Sequence, residues 1–118
     1  MTFMYDANEG IKDLKTLVEK KAVKNAGIVA LKTGSRTVTY DEIERNAARI
    51  AGRLRDLGVS QGDKVAVMMV NSFEFVYYWF AAMKLGAVLV PLNISLKGDL
   101  LAYQLNDSES KLILIEKA

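Results

Sequence analysis

Residues 62–93 constrain the fold of this chain more than any other stretch, because they predict a strand, a helix and a second strand. Val65–Val70 is a short, continuous apolar run, as expected of a parallel strand that is covered on both faces. The helix predicted over Phe73–Leu85 is apolar nearly all round and is therefore expected to be buried. Gly86 suits the left-handed position after that helix, and Ala87–Val90 is the second strand, which a proline ends. This order predicts a right-handed unit of two parallel strands joined by a crossover helix.

The segments around this unit extend it into an α/β fold. The other predicted elements are a helix over 10–24, strands at 28–32 and 36–40, a helix from 40 to 57, a helix over 96–106 and a strand over 111–115. Three apolar strands separated by helices predict a three-layer α/β sandwich with a largely parallel sheet, and the first two strands predict an additional N-terminal β-hairpin. We expect residues 1–118 to form a single domain, with residues 1–9 as a flexible lead-in.

Short-range signals fix several element ends. Thr39 and Glu42 form a Thr-x-x-Glu capping box, and Gly34-Ser35 suits a two-residue hairpin loop. In the helix over 96–106, the apolar spacing predicts that Leu96, Leu100, Tyr103 and Leu105 face inward. Spacing along the second helix predicts ion pairs between Asp41 and Arg45 and between Asp56 and Arg53.

Composition excludes several classes of site. The chain has 118 residues and a net charge of +2, which argues against a dedicated nucleic-acid binder. It has no cysteine and no histidine, so it contains no thiolate metal site and no Ser-His-Asp triad.

Lys84, Gly86 and Pro91 interrupt the apolar stretch Phe75–Leu92, which argues against a membrane span. No signal peptide is visible, and with the lack of cysteine we expect a cytoplasmic location.

Ligands of open α/β sheets bind beyond the carboxyl ends of the strands, so architecture points to three positions. They are Val70-Asn71-Ser72, Pro91-Leu92-Asn93 and Glu116-Lys117. A structural role explains most of these side chains equally well, because asparagine or serine at 71 or 72 can cap a helix and Asn93 can form a turn. We favour the structural role.

Four other patterns could carry a function, and each has a simpler explanation. Gly58–Lys64 has spaced glycines and a lysine but precedes a strand, so it is a poor phosphate loop. The lysines of the first helix and a row of arginines on the second are expected to be solvated surface. The aromatic residues of the buried helix could line an acyl or ring pocket, although most are expected to be core. The members of these sets are Lys12, Lys15, Lys20, Lys21 and Lys24; Arg45, Arg49 and Arg53; and Phe73, Phe75, Tyr77, Tyr78, Trp79 and Phe80.

Seven motifs in register, running from about Leu14 to Ile115, resemble the start of the AMP-forming acyl-CoA synthetases and related adenylate-forming enzymes, which include peptide-synthetase adenylation domains and luciferases. The motifs are Thr39–Ile43, Ala51–Val59, Gly62–Val67, Asn71–Phe75, Ala82–Val88, Val90–Asn93 and Leu101–Ser108. One departure is the absence of a proline before the buried helix, where many members have Leu-Pro-Asn and this chain has Val70-Asn71.

The resemblance implies a long- or medium-chain fatty-acid–CoA ligase. Such an enzyme converts a carboxylic acid and ATP into an acyl-adenylate, then into a thioester of coenzyme A, with Mg²⁺ as the metal. The family's ATP-handling motifs have no matching position here, so the resemblance implies no catalytic, cofactor-binding or metal-binding residue in this chain. We therefore expect an N-terminal structural segment that is inactive alone and that self-associates through uncovered apolar surface.

Two alternatives remain open. The chain could be a segment of a peptide-synthetase adenylation domain, or a stand-alone α/β module that binds a protein partner through an exposed sheet face. We expect no nucleic-acid partner and no membrane span.

Overall fold

The computed structural model describes residues 11–117, which form four helices and five strands. In chain order they are α1 (Leu14–Lys24), β1 (Val29–Thr33), β2 (Arg36–Thr39), α2 (Tyr40–Asp56), β3 (Lys64–Met68), α3 (Phe73–Lys84), β4 (Val88–Pro91), α4 (Gly98–Ser108) and β5 (Leu112–Ile115). The order and type of every element agree with the sequence prediction, and the predicted flexible lead-in over residues 1–9 lies outside the described residues.

The main sheet has three parallel strands in the order β4-β3-β5. Ala66 of the central strand lies opposite Val90 on one side and Ile113 on the other. The connection from β3 to β4 runs one way across the sheet and the connection from β4 to β5 runs the other way. Since such crossovers are right-handed, α3 and α4 are expected on opposite faces of the sheet. The parallel three-stranded sheet confirms the predicted α/β fold class.

The hairpin forms a separate two-stranded antiparallel sheet, as predicted. Thr33 pairs with Arg36 at its tip, and Gly34 has a φ of 55° in the intervening turn. That left-handed conformation is one that residues with a Cβ rarely adopt, so glycine sets the hairpin turn.

The capping box predicted for α2 is present in full. The backbone N–H of Glu42 donates to Thr39 Oγ1 at 3.2 Å, and the Thr39 N–H donates to Glu42 Oε2 at 2.8 Å. Both bonds satisfy N–H groups that lack partners within the helix, and they fix the junction between the hairpin and α2.

The core consists of two clusters of buried side chains. The first joins α2 and α3 to the central strand, and its buried members are Ala51, Leu54, Val59, Val65, Ala81, Ala82 and Ala87. The second joins α1 and the hairpin to α2 and α3, and its buried members are Val18, Val38, Ile43 and Phe73. Helices α2 and α3 contribute to both clusters and therefore connect the parallel sheet to the N-terminal elements.

A half-buried group of charged side chains also connects the three N-terminal helices. Lys84 Nζ of α3 lies 2.6 Å from Glu44 Oε1 of α2 and 3.1 Å from Glu19 Oε1 of α1. The Lys84 side chain is only 11% exposed, and Glu44 Oε2 is buried without a hydrogen-bond partner. Because one ammonium serves two carboxylates, we expect Lys84 to be the group on which this arrangement depends.

Two predictions about burial are wrong. Helix α3 is not fully buried: among its residues only Phe73, Ala81 and Ala82 are buried, and Trp79 is 41% exposed. Helix α4 has no buried residue, and the predicted inward-facing Leu100 is 57% exposed. The same holds for Tyr103. Helix α3 packs into both core clusters and leaves the rest of its surface partly or fully exposed. In α4 the spacing marks an apolar face, but no described part of the chain buries it.

Candidate functional site

The carboxyl ends of β3, β4 and β5 lie along one edge of the parallel sheet. After β3 the chain forms β4 on one side of it and then returns to form β5 on its other side. In open α/β sheets, a crevice forms between two strands whose following connections run to opposite sides of the sheet. The architecture therefore places the candidate site beyond the ends of β3 and β5.

A cleft of about 470 Å³ lies at this position. It is lined by Met68, Met69, Val70, Ile94, Ile115, Glu116 and Lys117. The backbone N–H of Val70 donates to Glu116 Oε2 at 3.3 Å, and the Glu116 N–H donates to Met68 O at 3.3 Å. The carboxylate of Glu116 thus ties the β5 end to the β3 end, and the rest of the lining is mainly apolar.

Residues 71 and 72 serve the backbone in this structure. Ser72 is the N-cap of α3, and its Oγ accepts a hydrogen bond from the Phe75 N–H at 3.1 Å. Asn71 is exposed and precedes the cap, so the capping role that the sequence allowed it is wrong and the serine alternative is confirmed. Neither residue lines the cleft.

Asn93 forms the predicted turn. Its Oδ1 accepts from the Ser95 N–H at 2.9 Å, and its carbonyl oxygen accepts from the Leu96 N–H at 3.1 Å. Of the residues at the three strand ends that architecture indicated, Val70, Glu116 and Lys117 line the cleft. Sequence analysis missed Met68, Met69 and Ile94, because their proximity depends on strand order, and order is a non-local property.

The aromatic residues of α3 are divided between core and cavity. Phe73 is buried beneath the Arg36 guanidinium, whose carbon lies 4.9 Å from the ring centroid. Phe75 and Trp79 make an edge-to-face contact with centroids 5.9 Å apart. Trp79 and Phe80 line a cavity of about 250 Å³ between α1, the hairpin, α2 and α3. This cavity lies away from the cleft and shares no lining residue with it.

Partial burial also changes the acidity of a tyrosine on the same helix. Desolvation, with smaller contributions from the nearby carboxylates of Glu74 and Glu42, raises the pKa of Tyr77 above its ordinary value. Tyr77 packs against the second core cluster. It therefore stays protonated at neutral pH and acts as a packing residue.

The loop Gly58–Lys64 enters β3 at the amino edge of the sheet, opposite the cleft. The Ser60 N–H donates to Asp63 Oδ2 at 2.8 Å, and Lys111 Nζ lies 3.2 Å from the same oxygen. The Ser60 bond, followed by the Lys111 bond, lowers the pKa of Asp63. The Asp63 carboxylate occupies the Ser60 N–H and places a negative charge inside the loop, which disfavours phosphate there.

The arginine row of α2 makes mostly local contacts. Arg45 pairs with Asp41 at 3.2 Å, as predicted. Arg49 donates to Asn46 Oδ1 at 2.8 Å. The predicted partner of Asp56 is wrong, because its carboxylate lies 3.7 Å from the neighbouring Arg55 instead of Arg53. Side-chain direction decides this pairing, and sequence spacing does not report it.

Within residues 11–117 there is neither a cluster of metal ligands nor a helix that could span a membrane. No group of three or more carboxylate side chains in that range is arranged to hold a metal ion. None of the helices in the same range combines the length and the apolar character that crossing a bilayer requires.

Comparison with known proteins decides the family. The family model described as "AMP-binding enzyme" matches residues 18–118. The chain belongs to the AMP-binding enzymes. Within this adenylate-forming family it is 42% identical to the long-chain-fatty-acid–CoA ligase FadD13 of Mycobacterium tuberculosis over 77 residues. The aligned stretch covers 65% of this chain and 15% of that protein.

A second relative in the AMP-binding family is a peptide synthetase. Tyrocidine synthase 1 of Brevibacillus parabrevis is 34% identical over 107 residues, which are 91% of this chain and 10% of that protein. Among solved structures, the inhibitor-bound N-terminal domain of FACL13 from Mycobacterium tuberculosis superposes with a TM-score of 0.84 at 34% identity. That match covers 89% of this chain and 27% of the solved chain.

The chain thus spans about 15% of the length of the first curated relatives that it matches. The superposition confirms that this chain adopts the fold of part of the N-terminal domain of an adenylate-forming enzyme. The resemblance recognised from seven sequence motifs is confirmed.

Proposed function

We propose that this chain is the N-terminal structural segment of an ATP-dependent acyl-CoA synthetase, which joins a carboxylic acid, in particular a fatty acid, to coenzyme A through an acyl-adenylate. The observation that supports it most is the family match over residues 18–118 together with 42% identity to a fatty-acid–CoA ligase. In this proposal the chain supplies the first α/β layers, on which later parts of the enzyme assemble.

The chemistry of adenylation would come from other parts of the enzyme. Attack of a carboxylate on the α-phosphate of ATP needs Mg²⁺ and donors aimed at the phosphate oxygens. Residues 11–117 contain no group of three or more carboxylates that could hold a metal ion by themselves. Ser72 and Asn93, two of the polar residues that follow the strands at the carboxyl edge of the sheet, already cap a helix and close a turn.

Pyrophosphate exchange tests this assignment directly. The purified 118-residue chain, incubated with ATP, Mg²⁺ and a panel of carboxylic acids, is expected to give no acid-dependent exchange of labelled pyrophosphate into ATP. A full-length fatty-acid–CoA ligase under the same conditions serves as the positive control. Acid-dependent exchange by the chain above a no-acid blank would refute the proposed division of labour.

A segment of a peptide-synthetase adenylation domain is the second candidate. It is favoured by the tyrocidine synthase 1 match, which covers 91% of this chain against 65% for FadD13. The two candidates differ in the thiol that accepts the acyl group. The product of the whole gene, given ATP and an acid, is expected to form a thioester with free coenzyme A; transfer only to a carrier-protein thiol would favour the second candidate.

We also propose that the isolated chain self-associates. Exposed apolar side chains lie on β4, β5 and α4, as well as on other described elements and loops. They include Val88 at 47%, Leu100 at 57%, Tyr103 at 63% and Ile115 at 63% exposed. Apolar surface of this extent favours association. Sedimentation velocity is expected to show species larger than a monomer at high concentration, and a monomeric profile throughout would contradict this. The cytoplasmic location stays a prediction.

A further inference from the structure

The apolar cavity beside α3 takes no part in the proposed function. It has a volume of about 250 Å³ and lies between α1, the hairpin, α2 and α3. Its lining residues are all uncharged, and among them only Tyr40 and Trp79 carry a polar side-chain atom. A protein cavity of about 150 Å³ with a comparable apolar lining stays dry and binds benzene. The cavity beside α3 is therefore large enough for a molecule of one or two aromatic rings.

This cavity has a buried part and an open rim. Val18 of α1 and Ile43 of α2, which both line it, are only 2% and 3% exposed. Leu14 and Trp79, which line it from the start of α1 and from α3, are each 41% exposed. A small molecule can thus enter beside these two residues without unfolding either helix, and apolar side chains surround it once it is inside.

The aromatic side chains of the lining favour an aromatic ligand over an aliphatic one. Tyr40 contributes a ring from α2, and Trp79 and Phe80 contribute rings from α3. Trp79 is also held by an edge-to-face contact with Phe75, in which the ring centroids lie 5.9 Å apart and the planes meet at 86°. Contacts between aromatic rings stabilise by more than the area that they bury, and a ring held in place before binding loses little freedom on binding.

The same lining selects against charge. A carboxylate inside the cavity would lose its hydration, and the lining residues offer it no cation in exchange. We propose that the cavity between α1, the hairpin, α2 and α3 is a binding site for an uncharged aromatic molecule of one or two rings. The cavity shares no lining residue with the cleft at the carboxyl edge of the sheet, and its ligand differs from the carboxylic acid of the proposed reaction. The two proposals are therefore independent.

Indole, an uncharged molecule of two fused rings, is the probe, and carbon-13 methyl NMR of the native chain is the measurement. A bound aromatic ring shifts the resonances of the methyl groups beside it. We expect saturable shifts at Leu17, Leu31 and Val76, which line the cavity. The exposed residues Leu100 and Ile115, on α4 and β5, are internal controls and should show no saturable shift. Saturable shifts confined to the exposed residues, or none at all, would overturn the proposal.

Filling the cavity separates binding inside it from binding to other apolar surface. Ala30→Leu adds three carbons to a half-buried lining residue of β1, so ligand and side chain compete for the same space. We expect indole affinity to fall by about tenfold or more in this variant. Ala102→Leu adds the same three carbons to the exposed surface of α4 and should bind indole like the native chain. Equal affinity of the native and Ala30→Leu chains would overturn the proposal, as would an equal loss in both variants.

A charged counterpart of the probe tests the selectivity on the native chain, so the proposal stays testable even if Ala30→Leu does not fold. Indole-3-carboxylate has the same rings and adds one carboxylate. Because burying that charge without a partner is costly, we expect it to bind at least about tenfold more weakly than indole. Equal affinity for the two probes would show that the site accepts acids, and would overturn the assignment to uncharged ligands.

Discussion

Replacing Lys84 by methionine tests whether the half-buried charged group holds the three N-terminal helices together. Methionine keeps the apolar stem of lysine and removes only the ammonium. The contact with Glu19, which is 42% exposed, contributes roughly 0.2–1 kcal/mol, as exposed ion pairs do. The contact with Glu44 matters more, because the Glu44 side chain is 25% exposed and its Oε2 is already buried without a partner.

Removing one member of a fully buried ion pair costs about 3–5 kcal/mol, because the remaining charge loses its compensation. Since Glu44 keeps some contact with solvent, we expect Lys84→Met to lower the free energy of unfolding by about 2–3 kcal/mol. Replacing both partners by apolar groups removes the uncompensated charge, so Lys84→Met/Glu44→Leu is expected to recover most of that loss.

Urea unfolding followed by circular dichroism measures these differences, with a common denaturant slope as the test of two-state behaviour. Lys15→Met, which removes an exposed lysine from α1, is the matched control and should change stability by less than about 0.5 kcal/mol. A Lys84→Met loss as small as that of the control would refute the reasoning. So would a double variant that is less stable than the single one.

Three further changes follow from local geometry. Ser72→Ala removes the side-chain bond to the N–H three residues on, and should cost about 1 kcal/mol in urea unfolding. Gly86→Ala places a Cβ 3.1 Å from the Gln61 side chain at a φ of 66°, and should cost about 1–2 kcal/mol in the same assay. Asp63→Asn should lower stability at neutral pH, because the folded pKa of Asp63 is lowered, so its contribution is present above about pH 3.9 and is lost as pH falls through the folded pKa.

Each of these changes has a control. Asn71→Ala, one residue before the cap, should be close to neutral, and an equal loss for both variants would contradict the assignment of the cap. Gly27→Ala meets no atom within 4 Å of its new Cβ, so it should be tolerated where Gly86→Ala is not. For Asp63, thermal unfolding from pH 7 to pH 2 should show the native and variant curves converging on acidification; a constant difference would show that the carboxylate charge plays no part.

Local signals in the sequence predicted the elements well. The Thr39 capping box and the hairpin at Gly34 depend on neighbours within four residues, and both are present as expected. Ser72 and Asn71 were indistinguishable as caps, because both side chains accept hydrogen bonds and only the backbone conformation selects between them. Short-range chemistry therefore specified which elements form and, within a few residues, where they end.

Properties that depend on distant parts of the chain were harder to predict. The spacing of Leu100 and Tyr103 identifies the apolar face of α4, yet burial depends on whether another layer packs there, and in residues 11–117 none does. Predicting the cleft beyond β3 and β5 required the strand order, which brings Met68 next to Ile115 although they lie 47 positions apart in the chain. No motif reports that pairing.

The central position of β3 has a consequence for biosynthesis. Its second neighbour, β5, comes from residues 112–115, so β3 leaves the ribosome well before its hydrogen-bonding partner on that side exists. At roughly 5–20 residues per second, translation of the intervening segment takes a few seconds. During that interval the edge of β3 that later pairs with β5 is free to form hydrogen bonds with another strand. Helices α2 and α3, which pack against the side chains of β3, have already been synthesised.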